Sequence, residues 1–127
     1  MKLTNNFSLS EFECKCGCKM PEFVKNNVIE LADSLQVLRD VVGILDLTNA
    51  YRCKEHNAYV GGSVNSQHLK GKAADIKSKQ FSPSEIATIT NDLMKNESFS
   101  LGGVGIYNTF THVDIRGTRA RWSKTTK

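Results

Sequence analysis

No stretch of this chain approaches the roughly 20 apolar residues that a membrane-spanning helix needs. Residues 1–10 lack the apolar core of a secretory signal. There is no internal repeat and no low-complexity segment. The C-x-x-C spacing of the common zinc knuckle is missing. Aromatic residues are scarce where charge is dense: the basic stretch Arg116, Arg119, Arg121, Lys124 and Lys127 holds only Trp122. The first two absences exclude a membrane span and imply a protein made in the cytoplasm. Any target outside then has to be reached through a membrane lesion. The last absence argues against nucleic acid as a partner, because such binders interleave aromatics with their cations or carry a recognition helix.

What is present suits one soluble domain spanning residues 1–127. The chain is 39% apolar and 24% charged, in the range of globular proteins. Its length lets it bury about 65–70% of its unfolded surface, and a monomer is expected. The net charge of +4 comes from 17 basic and 13 acidic side chains. Such a surplus is either an ordinary solvated surface or an aid in approaching an anionic polymer. Cys14, Cys16, Cys18 and Cys53 leave three readings open: free thiols in a surface loop, a disulfide between Cys53 and one of the other three, or a second, thiolate metal site.

The hydrophobic pattern predicts an α+β fold, with helices packed on one face of a small, mainly antiparallel sheet. Residues 7–12 read as a cap and a short helical turn. Pro21 fits the first position of a helix over 22–42, where Val24, Val28, Leu31, Leu35, Leu38 and Val42 recur in steps of three and four. Gly43 ends it. Residues 44–51 read as a strand with Leu45, Leu47 and Asn49 on one face, 55–60 as a short helix and 61–66 as a loop. A strand over 72–77 sets Ala73, Asp75 and Lys77 on one side and Ala74 and Ile76 on the other. Ser82 caps a helix over 83–94. Two last strands, 102–107 and 110–116, flank a turn at Asn108-Thr109.

The chemistry concentrates in Ser66-Gln67-His68-Leu69-Lys70-Gly71-Lys72-Ala73-Ala74-Asp75 and in Thr111-His112-Val113-Asp114. Zinc takes imidazole nitrogen and carboxylate oxygen at about 2.0–2.2 Å in a tetrahedral array. His68 on a loop, a turn at Gly71 and Asp75 on the following strand let two donors reach one point, provided that the strand with His112 lies alongside. Three protein ligands leave the fourth position for water, as catalytic zinc sites do. Ala73 and Ala74 permit close packing beneath.

The segment Ser66-x-His68-x-x-Gly71-x-Ala73-x-Asp75, with His112 downstream, resembles the zinc D-alanyl-D-alanine carboxypeptidase family, peptidase family M15, in its small phage and bacterial branch. That family includes phage endolysins cutting L-alanyl-D-glutamate bonds and shares its fold with the hedgehog signalling domain. Residues 49–57 with Gly61-Gly62 are similar to the family's arginine segment, and 103–107 with 110–117 to its final hairpin. The resemblance spans roughly residues 7–122. It implies that His68, Asp75 and His112 bind Zn2+, that Arg52 binds a substrate carboxylate or carbonyl, and that Ser66 hydrogen-bonds substrate near the metal. By the same resemblance the substrate is the peptide stem of peptidoglycan, cut by a carboxypeptidase or an endopeptidase at the bacterial cell wall. A zinc-containing binding module of the same fold, without turnover, is the alternative.

The sequence departs from the pattern at one place. Many members carry His-x-His on the last strand with an acid a few residues earlier. Here Phe110 takes the first His position, and 106–111 contain no acid. Asp114, two residues past His112 on one strand face, is the candidate for taking a proton from zinc-bound water. Its other reading is a partner that orients His112. His56 is a more distant candidate.

Overall fold

The computed structural model describes residues 1–125, so Lys127 at the end of the basic stretch lies outside the described residues. Among the described residues three helices, α1 (Glu22–Val42), α2 (Lys54–Tyr59) and α3 (Pro83–Lys95), accompany five strands. The strands are β1 (Asp46–Asn49), β2 (Ala73–Lys77), β3 (Gly103–Tyr107), β4 (Thr111–Asp114) and β5 (Ala120–Lys124). Short 3-10 turns occupy Leu9–Phe12 and Gln67–Lys70.

The apolar stripe of α1 is wholly interior: Val24, Val28, Leu31, Leu35, Leu38 and Val42 are all buried. Each such side chain contributes about 1.5–3 kcal/mol by leaving water. Gly43 stops the helix with φ 84°, and its N–H returns to the Arg39 carbonyl. Helix α3 starts with a reciprocal cap, the Ser82 hydroxyl accepting from the Glu85 N–H while the Glu85 carboxylate accepts from the Ser82 N–H. It packs on β3 and β4, and α1 packs against α3.

The strand order is β1-β2-β4-β3-β5. Neighbours are antiparallel except β3 and β5, which run parallel. The sheet is therefore mixed, compatible with the mainly antiparallel expectation but holding one parallel pair. Its cause is β5, which the sequence presents only as a basic stretch. Only Ala120 and Trp122 alternate with Arg121 and Ser123 there, too short a run to mark a strand.

Register sorts the side chains. Across four strands, Asp75, His112, Gly105 and Trp122 are successive cross-strand partners and share one face. Ala74, Val113 and Val104 form the corresponding row on the other face and lie in the core. Thr111 on that second face donates its hydroxyl to the Pro83 carbonyl at 2.9 Å, which ties it to the start of α3. The polar row thus faces away from α3.

Strand β1 carries a bulge. Leu47 pairs with Ile76 and Asn49 with Asp75, which leaves Thr48 as the additional residue. Leu47 and Asn49 consequently fall on opposite faces, not on the single face that simple alternation predicts. The Thr48 hydroxyl donates to the Asp75 carbonyl at 3.2 Å, filling the gap in the ladder.

Candidate metal centre and groove

Direct pairing of Asp75 with His112 places their side chains side by side on the polar face. His68 arrives from the Gln67–Lys70 turn. Gly71 ends that turn in the left-handed region at φ 73°, and a Cβ there would lie 2.7 Å from Val24 Cγ1 of α1. Glycine is thus needed twice over, for its conformation and for contact with the helix. The seven-residue separation of His68 and Asp75 becomes a hairpin-like return that brings both to one point.

The donor atoms converge. Asp75 Oδ1 lies 3.3 Å from His68 Nε2 and 3.2 Å from His112 Nδ1. All three donors lie within 4.8 Å of one another, and all three residues are buried. Ligands at about 2.0–2.1 Å on a tetrahedral ion are separated by roughly 3.3 Å. The two Asp75 separations match that value, so the residues fit a metal ion.

Each histidine is oriented by a second partner. His68 Nδ1 lies 2.6 Å from the Ala50 carbonyl. A carbonyl only accepts, so Nδ1 carries the proton and Nε2 is left as the donor atom. His112 is the mirror case: its Nε2 lies 2.7 Å from Asp114 Oδ2, which turns Nδ1 toward the site.

Asp114 is fully enclosed. Its Oδ1 accepts from the Gly103 N–H at 2.7 Å and from Arg116 Nε at 2.9 Å; its Oδ2 accepts from Arg116 Nη2 at 2.7 Å. Gly103 is required for this packing, since a Cβ there would approach Asp114 Oδ2 to 2.5 Å. The carboxylate does not line the groove in front of the metal centre.

The electrostatics follow from these contacts. Burial alone would push the Asp75 carboxyl up, but hydrogen bonds from His112 and His68 outweigh it and hold the group at about 2. For Asp114, burial is again outweighed, by His112, Arg116 and the Gly103 amide, and the carboxyl stays well below the usual range. Burial opposes charge on His112, yet the carboxylates of Asp114 and Asp75 raise its pKa.

The centre opens into a groove of about 610 Å3. Arg52, Ser66, Tyr107, Phe110, Trp122 and Lys124 are among its walls. Arg52 Nη2 lies 3.4 Å from Ser66 Oγ, and its buried Nε has no partner. Ser66 Oγ also accepts from the His68 N–H at 3.1 Å, so the hydroxyl caps the turn. Gly62 is flush against this corner, where a Cβ would meet Asn57 Oδ1 at 2.2 Å and Arg52 Nη2 at 3.3 Å. His56 stacks on Tyr59 and is absent from the groove wall.

Three groove residues escaped the sequence reading. Trp122 sits with its ring centroid 5.0 Å from that of His112, and its Nε1–H donates to the Tyr107 hydroxyl at 3.0 Å. Tyr107 in turn stacks on Phe110, centroids 4.4 Å apart. Arg116 bridges Asp114 and the face of Trp122. The only hint was the periodicity of 103–107, which puts Tyr107 on the face of Gly105; the parallel strand that delivers Trp122 left no local mark.

An α+β domain with two imidazoles and a carboxylate converging at the floor of a groove has the build of a metallopeptidase. The family model for peptidase M15 matches residues 5–114, and the chain belongs to that family of zinc-dependent peptidases. No curated protein matches it significantly. Among the described residues no helix is long and apolar enough to cross a membrane.

Proposed function

We propose that the protein hydrolyses a peptide bond in the stem peptide of peptidoglycan, as a D-alanyl-D-alanine carboxypeptidase or L-alanyl-D-glutamate endopeptidase, in a phage or bacterial lytic role at the cell wall. The observation that carries this reading is the convergence of His68 Nε2, Asp75 Oδ1 and His112 Nδ1 beneath a groove walled by Arg52 and Lys124. His68, Asp75 and His112 would hold a zinc ion, which would supply a Lewis acid to the scissile carbonyl and make water more acidic.

The chain's own groups do the rest. Arg52 offers guanidinium donors to a carboxylate of the stem peptide from the groove wall. The acceptor sites of Ser66 are taken by His68 N–H and Arg52, so its own proton is left to donate to substrate beside Arg52. The Tyr107 hydroxyl accepts from Trp122 and retains a proton for a substrate carbonyl. Asp114, shut off from the groove with both oxygens engaged, acts through His112 by fixing its ring. This is a positioning role, and it replaces the proton-accepting role that strand spacing suggested.

A second reading has one observation behind it. Asp75, a metal ligand in this account, is the one acid among the described residues of the groove wall. A zinc-holding module without turnover would have that composition. The deciding experiment incubates purified peptidoglycan with the protein and measures newly released amino groups alongside zinc content, with a chelator control. Cleavage that stops on chelation and is lost in His68→Ala, together with the zinc of the groove site, supports the peptidase. Zinc that His68→Ala removes from the groove site, without cleavage by the unaltered chain, establishes the binding module instead.

A further inference from the structure

A second set of metal-type donors lies outside the groove. Cys14, Cys16 and Cys18 follow the Leu9–Phe12 turn, and Cys53 precedes α2. Their four Sγ atoms all lie within 4.8 Å of one another. Three of the separations are 3.3 Å for Cys14–Cys16, 3.5 Å for Cys16–Cys53 and 3.8 Å for Cys14–Cys53. All four residues are free cysteines. We propose that these four sulfurs bind a structural zinc ion, which clamps the N-terminal segment to the segment carrying Arg52.

The geometry argues for a common ion over pairs. Sulfurs bound at about 2.3 Å around a tetrahedral zinc stand roughly 3.8 Å apart, close to what is seen. A disulfide singles out one pair at about 2.05 Å, whereas here three sulfurs crowd each other and no pair stands out. Alternate residues of an extended chain would sit about 6.6 Å apart, too far for one ion. The chain avoids this by turning: Gly17 adopts φ 83°, and its N–H closes on the Cys14 carbonyl at 3.0 Å. The alternating Cys-x-Cys-Gly-Cys spacing thus acts as a knuckle.

The surroundings fit thiolate ligands. The Cys53 N–H points at Cys14 Sγ and the His56 N–H at Cys53 Sγ, each at 3.4 Å. Amide donors of this kind offset charge on coordinating sulfur. Binding releases the thiol protons and the waters of the ion, forms four Zn–S bonds and leaves two net negative charges. Lys15, Lys19 and Lys54 adjoin the ligands in sequence and oppose that charge. Cys14 is buried and Cys16 exposed, so the ion has a way in. The two clamped segments already meet through Tyr51 N–H to the Phe12 carbonyl at 3.1 Å, with both side chains buried.

Metal content separates this site from the groove. The His68→Ala chain, purified under reducing conditions without chelator, is expected to keep a full equivalent of zinc. Its thiols should resist a disulfide reagent until the metal is stripped. Cobalt in place of zinc should give the thiolate-to-metal charge-transfer bands that an imidazole-carboxylate site lacks, on the chain with all cysteines intact. Combining Cys16→Ser with Cys18→Ser should abolish those bands. A His68→Ala chain with no metal and freely reactive thiols overturns the proposal, as does a mass reduced by the hydrogens of disulfides. The cobalt spectrum needs no cysteine variant, so misfolding of one does not blunt the test. Neither result depends on whether peptidoglycan is cut.

Discussion

His68 and His112 present opposite ring nitrogens to the same point, and each does so because a fixed acceptor holds the other nitrogen. For His68 that acceptor is the Ala50 carbonyl, and for His112 it is Asp114. The roles of Asp114 can be told apart by substitution. Asp114→Asn should weaken zinc binding about 10–100-fold, the usual cost of losing an orienting partner, and lower kcat/KM with it. Stability should fall by about 1–3 kcal/mol, because an amide nitrogen in place of Oδ2 leaves Arg116 Nη2 and His112 Nε2 without their acceptor in an enclosed place. Competition against a chromophoric chelator and denaturant unfolding measure the two effects. Unchanged zinc affinity with a loss confined to kcat would return Asp114 to the role of proton acceptor.

At the scale of elements, strand β5 decides the shape of the groove. It runs parallel to β3 and sets Trp122 beside Gly105. The indole lies across the glycine, where a Cβ would come within 2.3 Å of Trp122 Nε1. Gly105→Ala should therefore displace the ring from Tyr107 and His112. The expected cost is about 1–3 kcal/mol for overpacking, with a red-shifted emission as the indole gains water. Trp122 is the only tryptophan of the chain, so fluorescence reads this one position. An unshifted spectrum with full stability would mean that the ring has other room. The bulge at Thr48 is the matching device on the far side of the centre, where it lets β1 bring Asn49 opposite Asp75.

For the whole molecule the governing quantity is charge. The chain carries a net +4, and three cations, Arg52, Arg116 and Lys124, stand around a groove whose one acid among the described residues is Asp75. Arg116 is engaged with Asp114, so Arg52 and Lys124 supply most of the attraction for an anionic polymer. Between about 0.01 M and 1 M salt the screening length falls from roughly 30 Å to 3 Å. Activity on intact cell walls should drop across that range through KM, with kcat nearly constant, in initial-rate measurements on purified walls. A salt-independent KM would mean that binding rests on uncharged contacts. A soluble, uncharged fragment of the substrate should show a much flatter dependence.

What depends on local periodicity and on ligand type could be read from the residues alone. The stripe from Val24 to Val42 and the cap at Ser82 each arise from neighbours within a few residues, and the observed helices follow them. His68, Asp75 and His112 stood out through their ligand chemistry and the family resemblance, and the fold gathers them into a possible metal site. No local window tells which nitrogen each histidine offers, that Asp114 is enclosed instead of facing the groove, or that β5 closes the sheet in parallel. Those outcomes come from partners distant in the chain: Ala50 for His68, Gly103 for Asp114, Gly105 for Trp122. The cysteines divide the same way. Their spacing was visible, but it took the turn at Gly17 and the approach of Cys53 to gather four sulfurs at one point, since convergence belongs to the folded backbone and not to any window of sequence.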